Sequence, residues 1–198
     1  MGTGQGIAVT LSQGDAELRR LFFEITLITS AIVAVTSAPQ FARAQAPGRP
    51  DTPALDFHAR TLGPNPVTKT LADYRGKVVL LTVWATWCFN CPDELASLQR
   101  VYAAYASQGL RIAAVSIDRG ASDEKIQEFT QKLGVTFDVL RDENNDVLNT
   151  YLLRGPPAVI VIDRNGIIRR RNIAAVDWDV DPRLAQIKQL LAEPEPTH

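Results

Sequence analysis

The sequence predicts an α/β fold, a mixed central sheet flanked by helices. Three observations carry that expectation. Apolar runs of strand length alternate with amphipathic runs of helix length in the order β-α-β-α-β-α-β-β-α, and such alternation builds a sheet with helices over its faces. Asn165-Gly166 joins the last two apolar runs; that dipeptide favours a tight hairpin, so part of the sheet is antiparallel. A further hairpin comes first, with Gly63-Pro64-Asn65 between residues 56–62 and 66–70.

Each element has its own signal. Residues 71–76 are a turn. Residues 77–83, Lys-Val-Val-Leu-Leu-Thr-Val, are a buried central strand by their β-branched and Leu content. Residues 93–107 are a helix, with Leu95, Leu98, Val101, Tyr102 and Tyr105 at helical spacing and Gly109 as its stop. Residues 110–117 are a second buried strand. Ser122 or Asp123 caps a helix that runs through Leu133, with Ile126, Phe129 and Leu133 on one face and Gly134 closing it. A short strand at 135–140 and a short helix at 146–152 follow. Residues 158–163 and 167–173 are the strands of the later hairpin. Asp181-Pro182 reads as an N-cap and a first-position proline for a last helix ending at Leu191.

The 198 residues leave room for one domain plus appendages. A net charge of −1, with no basic run, argues against nucleic acid as a partner. Arg19-Arg20 precede the apolar stretch 21–38, which Glu24 interrupts, and Ala42-Arg43-Ala44 fits a small-x-small cleavage site. Residues 1–44 are therefore expected to be a signal peptide, or an N-terminal anchor that tethers the chain to a membrane through 21–38. Either would export the rest to the periplasm or another extracytoplasmic space. Residues 45–54 are a Pro-rich linker, 55–191 the folded domain and 192–198 a flexible tail.

The chemistry sits in Trp84-Ala85-Thr86-Trp87-Cys88-Phe89-Asn90-Cys91, which holds both cysteines of the chain. Two cysteines cannot staple a scaffold. Zinc is not expected either, since a structural site takes four N/S ligands and only His58 and His198 could add to the pair. A Cys-x-x-Cys between an apolar strand and a helix suits thiol–disulfide exchange. Free N–H groups and the positive end of the helix dipole stabilise a thiolate there, and the thiolate is the form that attacks. On this reading Cys88 is the nucleophile, with the Cys91 N–H available to its sulfur, and Cys91 is the more buried resolving thiol.

From about Asp56 to Leu191 the chain resembles the thioredoxin superfamily, and within it the exported oxidoreductases of the TlpA/ResA type. The motifs that carry the likeness are the double-Trp Cys-x-x-Cys, Glu94 three residues past the second Cys, Gly155-Pro156-Pro157 before a strand, and a late Asp177-Trp178-Asp179. The resemblance implies a thioredoxin-like fold with an N-terminal β-hairpin and an extra βα insert around 121–140. It also implies that Glu94 accepts the proton of Cys91, at a pKa raised by partial burial. The thioredoxins' own buried acid stands two residues before the first Trp, where this chain has Thr82. Pro157 matches the cis-proline that faces the Cys pair. Trp87, Phe89, Asn90 and Pro156 are the expected substrate-facing residues. Trp84, Tyr74, Tyr151 and Trp178 read as core aromatics.

Three departures matter. Asn90 stands where the family usually has Pro between the cysteines, Pro92 stands where a basic residue is common, and Pro156 has no N–H for a docked strand. The first two weaken thiolate stabilisation at Cys88. The expected function is reduction of protein disulfides through Cys88 and Cys91, with cytochrome c maturation as the family's commonest setting. No Gly-x-Gly-x-x-Gly motif is present, so no cofactor is expected and a membrane electron donor would have to re-reduce the pair. Two alternatives stand beside this. A copper chaperone would suit soft thiolates, but its kind spaces the cysteines by three and adds a downstream His. A thiol peroxidase carries Thr three residues before the reactive Cys, where this chain has Ala85.

Overall fold

The structure is a computed structural model and describes residues 48–196. The expected targeting segment at 1–44 and its cleavage site lie outside the described residues, as does His198. Among the described residues no helix is long and apolar enough to cross a membrane.

Among the described residues seven strands form one mixed sheet in the order β2-β1-β5-β4-β3-β6-β7. The hairpin strands are β1 (Ala59–Thr61) and β2 (Thr68–Lys69). At the centre lie β3 (Val78–Trp84) and β4 (Leu110–Ser116), parallel and paired from Val78↔Leu110 to Trp84↔Ser116. On one side β5 (Asp138–Arg141) runs parallel to β4. On the other, β6 (Ala158–Ile162) is antiparallel to β3 and to β7 (Ile168–Asn172). Every residue of β3 and β6 is buried. Strands covered on both faces lose the inside/outside alternation, which is why these segments read as unbroken apolar runs.

Among the described residues four helices lie between or after the strands: α1 (Cys91–Tyr105), α2 (Asp123–Lys132), α3 (Asp146–Thr150) and α4 (Arg183–Ala192). The single-turn 3₁₀ helix Leu71–Tyr74 occupies the expected turn. A second 3₁₀ turn, Ala106–Gln108, ends α1 against Gly109 at φ 97°. The positive φ favours glycine there, and a Cβ would lie 2.9 Å from Arg164 Nη1, so a side chain would also have to displace that guanidinium. Ser122 caps α2 by accepting the Lys125 N–H.

Several boundaries differ from the sequence reading, including the ends of the first hairpin strands, of α1 at Tyr105 and of α3 at Thr150, and three of the differences have a local reason. The strand expected at 135–140 begins only at Asp138. Gly134 and Val135 donate back to Gln131 and Thr130, so the chain spends 134–137 leaving the helix. α1 begins at Cys91 instead of 93, with Pro92 inside its first turn; that position lacks an intrahelical donor role, so proline costs nothing there. Pro182 is the N-cap of α4, not its first helical residue, and no side-chain capping bond forms there. The Asp181–Pro182 peptide is cis.

The βα insert is tied to the N-terminal hairpin by charge. Asp123, at the start of α2, accepts from Arg60 of β1 at 2.8 and 2.9 Å, from Arg141 of β5 at 2.6 Å and from the Gly63 N–H at 3.0 Å. Glu143 completes the cluster, 2.9 Å from both Arg60 and Arg141. The Arg60 guanidinium, then Arg141 and Gly63, hold the Asp123 carboxyl far below the usual carboxylate range. Its contribution is therefore present above the ordinary Asp pKa and is lost as pH falls below it. Asp123→Ala leaves Arg141, only 8% exposed, without its main partner. The expected cost is about 3 kcal/mol of stability, measured by urea unfolding at pH 7. Loss of less than roughly a third of that would mean that water replaces the carboxylate.

Candidate active site

The site is built where β3 ends. Trp84 pairs with Ser116, and the Ile117 N–H donates to the Trp84 carbonyl at 3.0 Å. The Trp84 ring is fully buried and stacks on Phe129 of α2 at 5.5 Å, so it anchors the loop from below. Two successive turns follow, with Cys88 N–H to the Ala85 carbonyl at 3.1 Å and Cys91 N–H to the Cys88 carbonyl at 3.2 Å. The Cys91 N–H is thus spent on the Cys88 carbonyl and not on its sulfur. Asn90 caps α1, so Cys88 sits in the turn before the helix and outside its first turn.

Cys88 and Cys91 form a disulfide. Cys88 is 8% exposed and Cys91 fully buried, so Cys88 is the more accessible of the two. The side chains around it point outward: Trp87 is 64% and Phe89 94% exposed, and Asn90 is exposed as well. Two large apolar side chains are thus left in water beside Cys88. Pro157 is buried, Pro156 half-buried, and the peptide between them is cis. The next residue, Ala158, pairs with Val83, which sets Pro157 at the end of the sheet that carries the cysteines.

Glu94 lies one turn beyond Cys91 on the same buried side of α1, 2% exposed. Its Oε1 accepts two long hydrogen bonds, from the Val176 N–H and the Trp178 Nε1–H, both at 3.4 Å. Burial pushes the carboxyl up to about 7, and the two donors pull against that only in part. A carboxyl poised near neutrality can take and return a proton at working pH. Thr82 is buried and its hydroxyl has no partner among the described residues; Glu94 is the buried carboxyl one turn along α1 from Cys91.

Sequence reasoning missed the part played by Trp178, which it read as plain core. The Asp177-Trp178-Asp179 motif was the available signal. Trp178 is buried and donates through its backbone to Ser97 Oγ at 3.1 Å as well as through its indole to Glu94. Asp179 pairs with Arg100 at 2.6 Å. Both residues therefore strap the segment after β7 onto α1.

A hollow of about 600 Å³ lies at the other end of the sheet, among Arg75, Lys77, Asp163 and Arg164. No residue of the Cys motif lines it. Disulfide exchange with a protein needs an accessible sulfur and no enclosed pocket, so the chemistry is assigned to the Cys end. Among the described residues no group of three or more His, Cys, Asp or Glu is arranged to hold a metal.

A family model described as the AhpC/TSA family matches residues 50–171. The thiol-disulfide oxidoreductase ResA of Geobacillus kaustophilus is 36% identical over 100 residues, 50% of this chain and 56% of that protein. The ResA of Oceanobacillus iheyensis is 37% identical over 101 residues, 51% of this chain and 52% of that protein. The chain thus spans little more than half the length of the curated relatives it matches. Among solved structures, the thioredoxin domain of a thiol-disulfide oxidoreductase from Bacteroides vulgatus is similar, with a TM-score of 0.60 and 26% identity over 72% of this chain and 98% of that one.

Proposed function

This chain belongs to the AhpC/TSA family and has a thioredoxin-like fold, and on that premise we propose that it is an exported thiol–disulfide oxidoreductase that reduces protein disulfides. The observation that carries the reading is the pairing of the more exposed Cys88 with a fully buried Cys91 on a helix that also carries a buried carboxyl. Cys88 thiolate attacks one sulfur of a client disulfide. That S–S bond breaks, the departing client sulfur takes a proton, and Cys88 is left in a mixed disulfide. Glu94 accepts the Cys91 proton. Cys91 then attacks Cys88 Sγ, closing the internal disulfide and releasing the second client thiolate, which is protonated in turn. Two electrons pass to the client. A dithiol donor must return them, and a membrane protein in the same compartment suits that role.

Trp87, Phe89 and Asn90 form the surface a client meets, and Pro156 and Pro157 present the facing peptide edge. Without an N–H at Pro156, the client strand docks through a carbonyl on that side. Export is inferred from residues 1–44, whose apolar stretch and small-x-small site fit a leader or a tether. Cytochrome c maturation is the setting we favour, because haem-attachment thiols must be kept reduced.

The thiol-peroxidase reading is disfavoured by one contact. The Thr86 hydroxyl donates to Asp118 at 2.7 Å and is turned to that carboxylate, so it cannot substitute for the Thr that Ala85 replaces. The test is direct. The reduced full chain, mixed with a disulfide-bonded protein without oxygen, should consume one client disulfide for each Cys pair oxidised. Faster oxidation by hydrogen peroxide than by protein disulfide would overturn the proposal. Copper retained through purification would favour the chaperone reading.

A further inference from the structure

Asp118 is a buried carboxylate that the exchange chemistry leaves unused. It is 2% exposed and lies in the loop leaving β4. Its Oδ2 accepts the Thr86 N–H at 3.0 Å and the Ser116 hydroxyl at 2.8 Å, and its Oδ1 accepts the Thr86 hydroxyl at 2.7 Å. Its own N–H donates to Ser116 Oγ at 3.2 Å. None of the ion pairs among the described residues includes it. Hydrogen-bond donors alone meet its charge.

The placement follows from strand register. β3 and β4 are parallel and Trp84 pairs with Ser116. Thr86 and Asp118 are each two residues further on, so the carboxylate clamps together the two loops that leave neighbouring strands. Thr86 is also two residues before Cys88, whose N–H closes the next turn onto Ala85. Fixing Thr86 at both its N–H and its hydroxyl fixes where that turn begins.

We propose that Asp118 is a positioning residue for Cys88 and that it sets the Cys88–Cys91 couple toward the reducing side. The proposal rests on the exchange reading above. In the disulfide form the S–S bond itself holds the turn. In the dithiol form only hydrogen bonds hold it, and the Asp118 clamp is the side-chain anchor two residues before Cys88. A looser dithiol loop loses more entropy when it closes, so the clamp favours the disulfide. A buried anion near the site also disfavours a Cys88 thiolate, which again favours the disulfide. Both effects make the pair a stronger reductant, and removing Asp118 reverses both.

The experiment equilibrates the full-length chain and its variants in a glutathione or dithiothreitol series. Asp118→Ala should move the dithiol/disulfide equilibrium about tenfold toward the dithiol, a potential about 30 mV less negative. It should also make Cys88 alkylate at lower pH. Thr86→Val removes one of the donors, keeps the charge and is nearly isosteric. It should shift the equilibrium the same way by a smaller factor, and it carries the test if Asp118→Ala does not fold. A clamp that served stability alone would lower the unfolding midpoint of both redox forms equally and leave the equilibrium unmoved. Folded variants that stay within twofold of the wild type would therefore overturn the proposal. A wild-type chain that does not equilibrate with the thiol buffer would overturn the exchange reading, and the proposal with it.

Discussion

Cys91→Ser is expected to leave the chain covalently bound to its client, while Cys88→Ser stops the reaction before any adduct forms. The asymmetry comes from burial. Cys88 is the more exposed of the two and Cys91 is fully enclosed. Without Cys91 the mixed disulfide on Cys88 has no internal thiolate to displace it, so it should persist on a non-reducing gel and be visible as an adduct mass. Without Cys88 a serine hydroxyl stands at the surface. It is not ionised near neutral pH, and the rate of client reduction should fall by at least about 10³-fold. An adduct formed through Cys91 in the Cys88→Ser protein would show that the two roles are exchanged.

Glu94→Gln should flatten the pH dependence of the second step. With its carboxyl held up at about 7 by burial, Glu94 becomes a competent base as pH rises through neutrality. The wild-type resolving rate should climb across that range, and the Gln variant should be slower by about 10²-fold at pH 8. The same substitution has a second, independent signature. Between the ordinary carboxylate pKa and 7 the folded chain keeps a proton that the unfolded chain has released. Its stability therefore falls as pH rises through that window, by about 3 kcal/mol in all. Gln cannot ionise, so the variant should hold its stability and exceed the wild type at pH 8. Urea unfolding at pH 5 and pH 8 reads this directly. A wild type that is equally stable at both would show that Glu94 titrates in its ordinary range.

The central strands were legible because β3 and β6 are covered on both faces and so are apolar throughout. The cysteine motif was legible because local order supplies its context, a strand before and a helix after. Contacts made by distant side chains were not. Nothing local in Asp123 says that it joins Arg60 to Arg141, and nothing in Asp118 says that it seizes Thr86. Trp178 looked like core and is core, yet its indole N–H also ends on Glu94. Such pairings depend on which strands become neighbours, and the register that brings Ser116 beside Trp84 is a property of the whole sheet. The start of α1 was set at 93, two residues late, because the helical periodicity shows only from Leu95 onward, whereas the first turn takes in Cys91 and Pro92.

The most direct test of the account is the reduction potential of the Cys88–Cys91 pair in the full-length chain, by equilibration against thiol buffers of known potential. A protein-disulfide reductase fed by a dithiol donor requires a value near the thioredoxin range, about −270 mV. A value near about −120 mV would mean that the dithiol is the favoured form. The chain would then be an oxidant, and the reductase reading and its maturation setting would both fall.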